Sequence, residues 1–143
     1  MPHDELSKHW HEPKAGENAG FGKFSRPAMP YDRFMEAEGI PVYRGIGVHR
    51  SQDLPMAPWK RLGGKGSYIQ LYGTEGLWGS YVVEIPAGGA LNIEHHLYEK
   101  QCYIVEGRGS TEVWQEGQTK KQTFEWQKGS LFSIPLNAYP VSY

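Results

Sequence analysis

Cysteine is nearly absent from this 143-residue chain, and Cys102 is the single one. An intrachain disulfide and a cysteine-rich zinc site are thereby excluded, and a reducing compartment is the natural fit. An excess of either charge is missing as well. With a formal net charge of -1, the chain has no electrostatic footprint for nucleic acid or for an anionic membrane surface. No apolar run approaches the ~18 residues of a membrane helix, and the N-terminus, Met1-Pro2-His3-Asp4-Glu5, has neither the basic nor the apolar part of a signal peptide. These absences describe a cytosolic protein with no nucleic-acid or membrane partner.

Turn-forming residues, by contrast, are abundant. Gly 18 and Pro 10 favour many short strands over a few long helices. The aromatic content, with Tyr 9 and Trp 5, suits half-buried pleated surfaces. The length allows one ordinary domain with a real core. The expected class is all-β.

Residues 1–30 are polar, rich in glycine and proline and poor in aliphatics, so they offer little apolar area against the entropy of ordering. They are expected to form a flexible N-terminal arm, with the β domain over residues 31–143. The arm contains His9-Trp10-His11, but ligands on a flexible arm are not held in a metal geometry. Tyr31 to Glu38 is a short helical stretch before Gly39, and Ile40 to Val48 is the opening strand. A Pro-marked loop, Leu54 to Trp59, and a Gly63-Gly64-Lys65-Gly66 turn come next. Strand patterns then recur over Ser67 to Tyr72, Trp78 to Ile85, Gln101 to Val105, Ser110 to Trp114, Thr123 to Trp126 and Ser130 to Ile134. Glycine, proline or polar turns bound each of them. Such spacing predicts a sandwich or barrel rather than a βαβ fold. No repeat or heptad pattern is present.

Chemistry-bearing residues concentrate between Gly88 and Gly109. The run Gly88-Gly89-Ala90-Leu91-Asn92-Ile93-Glu94-His95-His96-Leu97-Tyr98-Glu99-Lys100-Gln101-Cys102-Tyr103-Ile104-Val105-Glu106-Gly107-Arg108-Gly109 resembles the first motif of the cupin superfamily. That motif reads glycine, five residues, His-x-His, three or four residues, Glu, six residues, Gly. Gly129-Ser130-Leu131-Phe132-Ser133-Ile134-Pro135-Leu136-Asn137-Ala138-Tyr139 resembles the start of the second motif. The wording is similar to one domain of the two-domain, dioxygenase-like cupins. The resemblance implies a double-stranded β-helix fold, a β-sandwich or open barrel, and a divalent metal site in the RmlC-like manner.

The implied ligands map only in part. Counting back from Gly107, the motif glutamate falls on Lys100, its second histidine on His96 and its first on Glu94. The second-motif histidine falls close to Pro140, which has no ligating side chain. On a regular strand Glu94, His96, Tyr98 and Lys100 share a face, and they form the candidate ligand-binding set. The Lys100 ammonium would then stand where a metal would and pair with Glu94. A competing register takes His95 and Glu99 together with His96 and requires a bulge, because neighbouring histidines point to opposite faces. The expected cofactor is none. The alternative is Fe, Mn, Ni or Zn, the ions that imidazole and carboxylate suit. A small anionic molecule bound through Lys100 is the candidate ligand.

Cys102 alternates with Ile104 and reads as a small buried hydrophobe. Gly107-Arg108-Gly109 reads as hairpin chemistry. The sequence ends at Tyr139-Pro140-Val141-Ser142-Tyr143, where a cupin domain usually continues into its closing strands. A C-terminally shortened domain is therefore expected, with its open edge covered in a homo-oligomer. Two functions follow from the resemblance and the substitutions. One is a cupin related to metal-dependent oxygenases with a degenerate site and little or no catalysis. The other is a non-catalytic small-molecule-binding or assembly module.

Overall fold

A computed structural model describes residues 29–143. The expected arm, including His9-Trp10-His11, lies outside these residues except at its last two positions. Strands dominate the described chain, with one α-helix. No helix among the described residues is long and apolar enough to cross a membrane. Two compact units are formed, one from the residues through Trp59 together with Gly66–Val83, the other from Lys60–Lys65 and Glu84–Tyr143.

The first unit opens with α1 (Pro30–Ala37). Proline at its start loses no intrahelical bond. The Asp32 carboxylate accepts from the Met29 N–H at 2.9 Å, which satisfies a donor that the helix start would leave bare. Gly39, at φ +71, ends the helix in a conformation that a Cβ would oppose. Next come β1 (Val42–Gly45), a 3-10 turn at Ser51–Asp53, β2 (Ala57–Trp59), β3 (Gly64–Leu71) and β4 (Ser80–Glu84). The strand order is β1-β3-β2, with β4 also on β3. β1 runs parallel to β3, Val42 opposite Tyr68 and Gly45 opposite Leu71.

Two expectations change in this unit. The segment expected as a loop, Leu54 to Trp59, contains β2, which carries Pro58 at the end of the strand order, the kind of edge position to which proline in a sheet is confined. The glycine cluster expected as a turn already belongs to β3 from Gly64 onward. Gly66 serves close approach there, since a Cβ on it would meet the Trp59 ring and, at 2.9 Å, the Val82 carbonyl. Trp59, Tyr68, Met35 and Ile40 form the core. Tyr68 and Tyr81 each stand edge-on to Trp59 at 5.0 Å, and the indole N–H is taken by the Glu38 carboxylate.

The second unit carries β5 (Lys100–Tyr103), β6 (Arg108–Gln115), β7 (Gln122–Gln127), β8 (Leu131–Ile134) and β9 (Ala138–Ser142). β5 and β8 form an antiparallel pair, and β7-β6-β9 form a second antiparallel sheet. One face of that sheet presents Thr111, Trp126 and Ala138, all buried. The Trp126 indole donates to Thr111 Oγ1 at 3.0 Å, and Thr111 shares a 2.8 Å hydroxyl contact with Ser142, so the polar atoms of this core are paired. Phe124 and Phe132 touch at 5.1 Å between centroids.

β9 was not expected, the strand patterns read from the sequence ending at Ile134, and it contains Pro140. Its carbonyl accepts from the Glu94 N–H at 3.2 Å, and that of Ser142 from the Leu91 N–H at 2.9 Å. In an antiparallel strand a residue's N–H and C=O point the same way. The donor that Pro140 lacks would therefore face the irregular 91–96 segment and not β6, where Val113 lies opposite.

Candidate functional site

The 91–96 segment runs antiparallel along β9 through isolated hydrogen bonds, closed at its far end by the Asn137 N–H donating to the His96 carbonyl at 2.9 Å. It is not a regular strand. The chain bends at Leu97 and Tyr98 and becomes a strand only at Lys100. The expected common face of Glu94, His96, Tyr98 and Lys100 is thus interrupted, and Tyr98 lies exposed.

Glu94 and Lys100 nevertheless meet. The Lys100 ammonium donates to Glu94 Oε2 at 2.6 Å, with the two side chains only 14% and 10% exposed. Arg61 Nη1 stands 3.7 Å from the other carboxylate oxygen. Lys100 turns inward because β5 alternates. Lys100 and Cys102 are the less exposed positions, while Gln101 and Tyr103 face out, and their β8 partners are Ile134 and Phe132. Sequence reasoning missed Arg61, which lies in the turn before β3 and has no motif around it. That turn is anchored by Asn92, whose side-chain amide donates to the Arg61 carbonyl at 2.9 Å and whose N–H donates to that of Leu62 at 2.8 Å.

His96 is buried, at 8% exposure, and its ring stacks on Tyr98 at 4.3 Å. Its Nδ1 lies 2.9 Å from the Tyr98 carbonyl. A carbonyl only accepts, so Nδ1 carries the proton, and neutral His96 has a bare lone pair on Nε2. That Nε2 is buried and has no hydrogen-bond partner among the described residues.

His95 goes elsewhere, stacking on Tyr139 at 4.2 Å with its Nε2 2.8 Å from Asn137 Oδ1. Glu99 is exposed. The register using His95, His96 and Glu99 is not assembled, and no group of three or more His, Cys, Asp or Glu among the described residues is placed to hold a metal ion. The donors around Glu94 do not fit a divalent cation either, since an ammonium stands at one carboxylate oxygen and a guanidinium near the other.

Cys102 is free, and burial pushes its thiol above the usual range, with Lys100 lowering it and Glu94 raising it by smaller amounts. The thiolate is the nucleophile. Iodoacetamide at pH 7 is therefore expected to alkylate native Cys102 at least about tenfold more slowly than the urea-unfolded chain. Equal rates by mass spectrometry would show an open, activated thiol. The chain matches no protein-family model, no curated protein and no solved structure.

Proposed function

We propose that the second unit is a cupin-like β module whose metal position has been taken over by an ion pair, and that it works as a non-catalytic binding or assembly module. The observation supporting this reading is the 2.6 Å contact between Lys100 and Glu94. An ammonium at that distance neutralises the carboxylate and repels a divalent cation, an effect of several kcal/mol at an effective dielectric of about 20. His96 adds one imidazole lone pair, and Pro140 adds no side-chain donor. One nitrogen and one engaged carboxylate are too few for the ions that imidazole and carboxylate sites hold.

The second reading, a metal-dependent oxygenase-like cupin, is favoured only by the bare Nε2 of His96. Metal analysis separates the two. Protein purified without chelator and dialysed against Fe, Mn, Ni, Co or Zn in turn is expected to retain far less than one equivalent. Lys100→Glu, which replaces the ammonium with a carboxylate, is expected to gain only weak, partial uptake while Pro140 remains. One tightly held equivalent in the unaltered protein, lost in His96→Ala, would overturn the module reading.

A further inference from the structure

We infer that β7 is a self-pairing edge through which two copies of the chain join into one continuous sheet, ordered β9-β6-β7-β7-β6-β9. This goes beyond the module reading and does not depend on the Glu94 site. β7 lies at the end of the order β7-β6-β9, and the direction of its backbone groups follows from contacts already described. The carbonyls of Pro140 and Ser142 face the 91–96 segment. Their β6 partners Val113 and Thr111 consequently point toward β7, where they meet Gln122 and Phe124. By alternation, Thr123, Glu125 and Gln127 direct their N–H and C=O groups outward.

Gln127 is already used. Its N–H donates to Ser130 Oγ at 3.0 Å, and its carbonyl accepts from the Ser130 N–H at 2.9 Å. The outward groups of Thr123 and Glu125 make no backbone hydrogen bond among the described residues. Their side chains are exposed, and no proline or bulge interrupts the pairing with β6. This is an edge that templates another strand.

Charge selects both the occupant and the register. With Thr123 on the two-fold axis, Thr123 faces the partner's Thr123, Glu125 faces the partner's Lys121, and Lys121 faces the partner's Glu125. Opposite charges then stand directly across at two symmetric places, on the face where Lys121 already reaches Glu112 at 3.2 Å. Threonine pairs and opposite-charge pairs both favour antiparallel neighbours. Centring the axis on Glu125 would oppose two carboxylates, and centring it on Phe124 would bring Lys120 against the partner's Lys128. Of these three registers only the one on Thr123 is free of like-charge pairs, and it sets opposite charges across from each other; because it is isologous it closes as a dimer.

The test is sedimentation equilibrium on the full chain with Lys121→Glu, Glu125→Lys and the double exchange, each checked by circular dichroism. The unaltered chain is expected to dimerise at micromolar concentration. Each single reversal should raise the dimer dissociation constant on the order of tenfold or more, and the double exchange should restore it. A strictly monomeric unaltered chain overturns the inference, as does a dimer indifferent to both single reversals. Thr123→Pro provides an independent check. It removes an outward N–H and no β6 bond, so a folded monomer is expected, and an intact dimer overturns the inference.

Discussion

Replacing Lys100 with methionine is expected to lower the unfolding free energy by about 3 kcal/mol, because breaking a buried ion pair leaves the remaining charge desolvated. Glu94 is 10% exposed, and Arg61 at 3.7 Å, with a side chain 39% exposed, does not replace a 2.6 Å ammonium contact. The pair itself is a different quantity from its rupture. Apolar side chains of similar size in both positions are often neutral or stabilising relative to a buried pair. Glu94→Leu with Lys100→Met is therefore expected to recover most of the loss. Urea unfolding of the unaltered chain, Lys100→Met, Glu94→Leu and the double variant gives the coupling directly. A loss below about 0.5 kcal/mol for Lys100→Met alone would mean that solvent screens the pair as it does at a surface.

Gly109→Ala is expected to cost about 3 kcal/mol, from overpacking at a site that cannot relax by moving a flexible side chain. A Cβ there would run into the Tyr143 carbonyl and approach the Trp126 ring to 2.5 Å. Trp126 is fixed by its bond to Thr111, and the Tyr143 carbonyl accepts from Ser110. The neighbouring Gly107 supplies the contrast. It has open space around it and φ +84, so Gly107→Ala should cost only about 1 kcal/mol, from backbone strain alone. Equal shifts in thermal melting for the two would contradict this division. The hairpin reading of Gly107-Arg108-Gly109 holds only for the positive φ at Gly107: β5 and β6 belong to different sheets and form no hairpin, and Gly109 is glycine because a carbonyl and an indole lie against it.

Strands bounded by turn glycines were legible in the sequence, because glycine at Gly107, Gly117 and Gly129 adopts the positive φ that marks such corners. β2 and β9 were not. Each holds a proline, and what makes proline tolerable is the identity of the neighbour on its N–H side, which is a tertiary fact. The meeting of Glu94 with Lys100 was visible from motif spacing, but the regular strand assumed between them was not formed. The bend at Leu97 and Tyr98 lets the His96 ring donate to a carbonyl only two residues away. Arg61 and Asn92 were invisible, since their approach depends on backbone bonds between segments far apart in the chain. His95 was separable from His96 only once Asn137, at φ +59, and Tyr139 were placed beside it.

The parallel pairing of β1 with β3 has a consequence during synthesis. β1 sits at the end of the order β1-β3-β2, so β3 is its sole neighbour in that sheet. Val42 lies opposite Tyr68, and roughly two dozen residues must be added after Val42 before its partner exists, a wait of about one to five seconds at ribosomal speeds. The β6–β7 hairpin needs no such wait, since its two strands adjoin in sequence and can close in microseconds. On the ribosome, then, the nascent chain carries a strand without its mate through one long interval, and the β6–β7 hairpin is complete almost as soon as it appears.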